Sequence, residues 1–257
     1  MKHLSVKPLA ACTGLLLSST AYAIVPVDQA NVAEKGVSGN VGVSIHGEAG
    51  NKDELEYSLS SILRYGQRED SWVLITDYSY SETNDIKDED EFYTHLRWTR
   101  FNFFSPQVDG ELFAQYEYDD FADLSSRKLA GGGARWRFSR TFEKAELKTS
   151  IGTGLFYEVE KSLSSGGDVE TTRANLYAKF LYSQASQYPF DAYTTVYYQP
   201  AVDDVDDFRS VIISGIEFKV TQTLSLTLEA ELKHNSKPFT AVEKTDFEYG
   251  VRLSYSF

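Results

Sequence analysis

The chain has 257 residues, with 38 Asp and Glu against 25 Lys and Arg, and a formal net charge of −13. That acidic excess excludes the basic footprint of a nucleic-acid-binding surface, and no apolar run is long enough for a membrane-spanning helix. Aromatic residues make up 14%, with 17 Tyr and 16 Phe, the types that favour strands, in a length that suits one large β domain.

Residues 1–23 read as a cleavable secretory signal peptide. Lys2 and Lys7 give a positive start, Leu9 to Leu17 an apolar centre, and Ala21-Tyr22-Ala23 an A-x-A cleavage site. Leu9-Ala10-Ala11-Cys12 resembles a lipoprotein box, but the apolar stretch continues past it and few apolar residues precede it. Cys12, the single cysteine, leaves with the leader, so the mature chain is expected to have no disulfide and no thiol chemistry. Removing Lys2 and Lys7 takes the net charge from −13 to −15. Residues 24–36 are a polar lead-in with Pro26, read as a periplasmic segment.

From residue 37 to 257 alternation begins and hardly stops. Side chains alternate faces along a strand, and the pattern predicts about twelve strands near 37–48, 53–66, 71–80, 91–103, 110–119, 127–138, 144–160, 170–182, 190–199, 206–219, 223–233 and 246–257. Val41, Val43 and Ile45 form the apolar face of the first. Leu55, Tyr57, Leu59 and Leu63 form that of the second, and Leu112, Ala114, Tyr116 and Tyr118 that of the fifth. Gly131-Gly132-Gly133 in the sixth suits curvature or close backbone approach. Leu224, Leu226, Leu228, Ala230 and Leu232 line the eleventh. In the last, Phe247, Tyr249, Val251, Leu253, Tyr255 and Phe257 alternate with polar or small residues, and the aromatic ending, Tyr255 and Phe257, reads as a barrel-assembly signal.

An even number of strands, each with one greasy and one charged face, predicts an all-β fold: a transmembrane antiparallel β-barrel. Even-numbered connections are short and turn-like, such as Gln67–Ser71 and Ser105–Gly110. Odd ones are mostly longer and acidic, such as Glu82–Asp90 and Pro200–Asp206. Short periplasmic turns with longer outer loops suit this architecture. Aromatics gather in two belts, with Trp72, Phe103, Phe138, Tyr182 and Phe190 inside and Tyr78, Tyr80, Phe92, Tyr118 and Phe247 outside.

Gly47-Glu48-Ala49-Gly50-Asn51, Asn102-Phe103-Phe104-Ser105-Pro106 with Leu112 to Asp119, the glycine-rich sixth strand and Ser254-Tyr255-Ser256-Phe257 together resemble the YdiY-like family, described as salt-induced outer-membrane proteins of unknown function. The resemblance runs from about Gly36 to Phe257. It implies an outer-membrane location and a link to osmotic stress, and it carries no catalytic residues.

The opposite register lists the lumen. Its outer half holds Glu56, Asp77, Glu117, Glu158, Glu229, Glu231 and Glu248 against Arg173, Arg209 and Lys233. Its periplasmic half holds Arg64, Arg97, Arg135, Arg137, Lys148, Lys179, Lys219 and Arg252 against Glu111, Glu146 and Glu217. Two readings stand open: a salt-bridged interior that passes nothing, and a narrow pore that passes small ions or solutes. The expected partners are outer-membrane lipid, lipopolysaccharide bridged by divalent cations at the acidic rim, and the barrel-assembly machinery. No cofactor is expected. An outer-membrane hydrolase is the alternative. It needs a Ser–His pair on the lipid-facing wall, whereas His46 and His95 fall in the lumenal register and no serine sits in a nucleophile motif.

Overall fold

The computed structural model describes residues 35–49, 53–185, 189–239 and 242–256. The leader, the lead-in up to residue 34 and Phe257 lie outside the described residues. Twelve antiparallel strands form one closed ring in sequence order: β1 Gly36–Glu48, β2 Glu54–Gln67, β3 Asp70–Thr83, β4 Ile86–Ser105, β5 Val108–Asp119, β6 Leu124–Thr141, β7 Ala145–Ser162, β8 Asp168–Gln184, β9 Phe190–Pro200, β10 Phe208–Lys219, β11 Leu224–Asn235 and β12 Thr245–Ser256.

The dyad alternation sets the wall. Leu112, Ile151, Leu155, Leu228 and Leu253 are exposed on the outside. Glu111, Arg135, Glu158, Arg173 and Glu231, each of the opposite parity, are buried inside. A soluble protein would cover such an outer face. Here it is the band that hydrocarbon covers. Outward aromatics meet across strands at both ends: Tyr57 stacks on Tyr80 at 5.2 Å and Phe92 on Tyr118 at 6.0 Å on the outer side. Trp72 meets Trp98 at 6.2 Å and Phe103 meets Phe104 edge-on at 4.8 Å on the periplasmic side.

Two features differ from the expectation. The acidic stretch 82–90 is not an open loop: the ladder continues through Glu82↔Lys87 and Thr83↔Ile86, and the chain reverses at Asn84 and Asp85, both with positive φ. Likewise β6 begins at Leu124 rather than 127. Beyond the hydrocarbon both faces of a strand meet water, so pairing goes on without the apolar alternation that marks a strand in sequence. The second difference is the seam. β1 and β12 pair over Asn40↔Ser256 and Val41↔Tyr255, and among the described residues no pairing continues toward the outer side. Tyr255, half exposed on the outer wall, thus helps close the ring at its periplasmic end.

At the periplasmic end of β4, Asn102 takes a positive φ of 59°, and the register shifts between Arg100 and Ser105. Asparagine tolerates this conformation better than most residues. Its backbone N–H donates to Asp109 Oδ1 at 3.0 Å, and its side-chain oxygen accepts from Arg137 at 3.0 Å. The Asn-Phe-Phe-Ser-Pro segment is therefore a bulge that fastens the turn to the lumen wall.

Inward glycines make room for rings and neighbouring strands. The Tyr177 ring lies over its cross-strand partner Gly152, and the Tyr193 ring over Gly215. A Cβ at Gly133 would stand 2.2 Å from the Thr153 carbonyl oxygen. That neighbour is backbone and cannot swing aside. Gly133→Val is therefore expected to lower stability by about 2 kcal/mol or more, while Ala130→Val on the exposed side of β6 changes it little. Urea unfolding of both variants in lipid discs checks this.

Candidate functional site in the charged lumen

The interior contains three side-chain groups. The first lies in the outer half against β5 to β10. Glu158 on β7 is 0% exposed and receives three guanidiniums. Arg127 Nε on β6 donates to it at 2.8 Å, Arg173 Nε on β8 at 2.5 Å and Arg209 Nη1 on β10 at 3.0 Å. Further acids balance the surplus positive charge: Glu160 takes Arg209 at 2.5 Å, Glu117 takes Arg127 at 3.0 Å and Asp207 takes Arg173 at 2.9 Å. Charge-assisted bonds of this kind are the strong ones. A buried cation stays charged at tolerable cost only when its donors are so occupied.

The second group occupies the middle and periplasmic levels. Glu111 on β5 accepts from Tyr177 Oη on β8 at 2.5 Å and lies 3.3 Å from Arg135 and 4.0 Å from Arg97. Asp109 pairs with Arg135 at 3.0 Å and with Arg137 at 2.7 Å. Rings cover the guanidinium faces, with Arg97 over Phe113 at 5.9 Å and Arg135 and Arg137 over Phe101 at 5.8 and 5.4 Å. Lys179 sits over the Tyr177 ring at 5.5 Å. His95 lies nearly parallel to Tyr93 and Phe113, its Nδ1 3.5 Å from Gln115. Two apolar clusters flank this level inside the ring: Val73, Ile75 and Tyr93 with Ile62, and Tyr177, Tyr197, Val211 and Ile213 with Tyr193.

The third group, on β3, β11 and β12, is acidic. Arg252 holds Glu229 at 3.1 Å, and Tyr193 Oη donates to the other Glu229 oxygen. Lys233 donates to Glu248 at 3.1 Å and stands 4.0 Å from Glu231. Asp77 adjoins Glu229 and Glu231 electrostatically.

The other lumenal candidates lie around these groups. Arg64 donates to Asn40 at 3.0 Å, and Glu56 and Glu217 hold inward register on β2 and β10. Near the periplasmic ends Lys148 pairs with Glu146 at 3.2 Å and Lys219 with Asp191 at 3.3 Å. Charge is divided around the ring as well as along it: arginines dominate β6, β8 and β10, and the carboxylate surplus lies on β3, β11 and β12.

Sequence reasoning did not place Arg127, Asp109, Glu160 or Glu91 in the lumen, although each shares parity with a neighbour that was named; Glu91 it counted with the acidic rim. It also missed the inward Val73, Ile75, Val211 and Ile213. Their signal was present in the unbroken runs Val73-Leu74-Ile75 and Val211-Ile212-Ile213, which mark a strand with apolar surroundings on both faces. His46 is backbone-paired with Glu56 on β1. His234 stands at the outer end of β11 beside Thr245 at 2.8 Å.

Residues 41–257 match the family described as "Protein of unknown function, DUF481". No curated protein matches the chain. Among solved structures, the translocator domain of the autotransporter NalP from Neisseria meningitidis is similar at 10% identity and a TM-score of 0.44, covering 90% of this chain and 90% of that one. The NanC porin matches at 11% identity and a TM-score of 0.41, covering 86% and 98%. The β domain of the Bordetella autotransporter BrkA matches at 8% identity and a TM-score of 0.40, covering 86% and 97%. These likenesses concern the outer-membrane barrel fold alone.

Glu158→Ala would leave three guanidiniums around an empty site. The expected loss is about 3–5 kcal/mol, the range for breaking a buried pair. Glu146→Ala at the rim should stay within about 0.5 kcal/mol of the parent. Urea unfolding followed by tryptophan fluorescence measures both.

Proposed function

The chain belongs to the DUF481 family of unknown function, and we propose that it is an outer-membrane barrel whose filled lumen stabilises the envelope and passes no solute by diffusion. The observation that carries this reading is the knot at Glu111. Tyr177 reaches it from three strands away, and the field at Arg97 on β4 includes Tyr177 and Tyr197 on β8 and β9. Side chains from strands three apart thus meet at mid-height, where Ile75, Tyr197 and Ile213 are all but inaccessible. A twelve-stranded ring lies between the filled eight-stranded barrels and the water-filled porins, so the side chains decide, and the contacts at Glu111 favour a filled interior.

The outer connections support a stiff, solvated rim. Lys237 in the β11–β12 connection donates to Asp204 in the β9–β10 connection at 2.5 Å. That bond holds the Asp204 carboxyl below its ordinary range and the Lys237 ammonium above its own. Asp123 caps the β7–β8 turn through Ser162 and Ser164 at 2.7 and 2.8 Å. The remaining acids of this rim suit divalent bridging to lipopolysaccharide. The proposal includes export by the secretory leader, insertion by the barrel-assembly machinery and a role under raised salt, the last resting on the resemblance to the salt-induced family. It includes no catalytic step.

Planar-bilayer recordings test the closed lumen. The parent protein is expected to give no current steps above bilayer noise in concentrated KCl. The Arg97→Ala, Tyr197→Ala double variant is expected to give steps. Regular steps from the parent would replace this reading with a narrow channel.

A further inference from the structure

The joint between β1 and β12 differs from the other joints in the ring. β1 pairs with β2 along its whole length, from Gly36↔Gly66 to Glu48↔Glu54, and β12 pairs with β11 from Leu224↔Tyr255 to His234↔Thr245. Across the seam only Asn40↔Ser256 and Val41↔Tyr255 pair among the described residues. The same register would set Val43 against Leu253, Ile45 against Val251 and Gly47 against Tyr249, and these pairs do not form. The ring parts over its outer half, between strands whose outward residues Val43, Ile45 and Tyr249 are 68%, 75% and 70% exposed. Hydrocarbon cannot satisfy the backbone N–H and C=O groups left there. The gap therefore suits something with polar groups as well as an apolar portion.

Directly behind the gap stand carboxylates without enough partners. Glu248 lies on β12 itself, and Glu231 faces it on β11. Glu231 is 1% exposed, and neither of its oxygens accepts a hydrogen bond. Its contact with Lys233 is a long 4.0 Å, because the ammonium donates instead to Glu248 Oε1 at 3.1 Å. Glu248 Oε2 and Asp77 Oδ2 are likewise sealed from solvent without a hydrogen-bond donor. Two glutamates thus share one ammonium, and Glu91 adds a further negative charge to its field. The described residues contain no group of three ligands placed to hold a metal ion. An organic ammonium, by contrast, brings N–H donors as well as charge.

We propose that the outer half of the β1–β12 seam is a lateral portal from the outer leaflet, and that it admits a cationic amphipath whose primary ammonium head is taken by Glu231, Glu248 and Asp77 while its apolar tail stays between Val43, Ile45, Tyr249 and Leu253. The head neutralises the carboxylate surplus and supplies the missing donors. The tail covers the parted wall. An ammonium without a tail gains only the first of these, and a zwitterionic head carries its own anion into an acidic site. The inference rests on the parted seam and the carboxylates behind it, Glu231 being the cross-strand partner of Ile213, and not on whether the lumen conducts.

The test titrates dodecylammonium into the full-length protein in phosphatidylcholine discs, by calorimetry against empty discs, with butylammonium as the tail-less control. Saturable binding is expected for dodecylammonium and about tenfold weaker binding for butylammonium. Glu231→Gln with Glu248→Gln should weaken dodecylammonium by about tenfold or more, the value of lost charge-assisted bonds. A second variant, Ile45→Cys with Val251→Cys, leaves the carboxylates intact. Its oxidised form should lose binding and its reduced form regain it, with heat-modifiable migration confirming that both variants fold. Discs containing phosphatidylethanolamine separate the sources: competition would identify a lipid head group as the ligand, and no competition an amphipath from outside the membrane. Binding no greater than that of empty discs, binding insensitive to both variants, or disulfides between chains in the Ile45→Cys single variant, which would give the edge to a second copy, would each overturn the proposal. Current steps from the parent protein would sink the closed lumen and leave this result untouched.

Discussion

Hydrocarbon offers no hydrogen-bond partner to a peptide group, so a chain that crosses it with strands must satisfy each strand with another and bend the sheet into a ring. The rest of the structure follows from that constraint. A ring has an inside and an outside, and a strand places successive residues on each in turn. Leucine, isoleucine and aromatic residues at one parity meet lipid, while glutamate, arginine and glycine at the other meet one another. The acidic surface and low mean hydropathy of −0.35 are compatible with a membrane protein because half of every strand never touches the membrane.

Inward side chains reach past their neighbouring strands, and this turns a wall pattern into a network. Glu158 gathers arginines from three strands, and Glu111 joins β5 to β4, β6 and β8. Glycines at 131, 133, 152 and 215 allow this by removing side chains where a ring or a neighbouring strand must come close. The compensation is uneven around the circle. Where β6 to β10 meet, the buried carboxylates of Glu158 and Glu160 find guanidiniums. Near the seam, Glu231 and Asp77 retain oxygens that no donor reaches. The seam and the unbalanced acids are neighbours, which is why the two features are read as one device.

The fold class, the strand number and the facing of residues such as Leu228 and Glu229 were legible in the sequence, because a period of two repeated over many residues leaves little freedom. The outer ends of β3, β4 and β6 were not, since above the membrane both faces are wet and the period disappears. Arg127 and Asp109 were hidden by lying at strand ends, where parity was not carried far enough. Val73, Ile75, Val211 and Ile213 broke the pattern by being apolar at the inward parity. Which acids meet which bases was not legible at all. Cross-lumen pairs such as Tyr177 with Glu111 depend on how the tilted strands stagger, and no local spacing records that.

The most direct check of the account is a scan of single tryptophans along β11 from Leu226 to Leu232, with Trp72, Trp98 and Trp136 replaced by phenylalanine, in discs whose lipid tails carry bromine. The account predicts quenching that alternates: strong at 226, 228, 230 and 232, weak at 227, 229 and 231. Uniform quenching along the strand, or the reverse alternation, would contradict it.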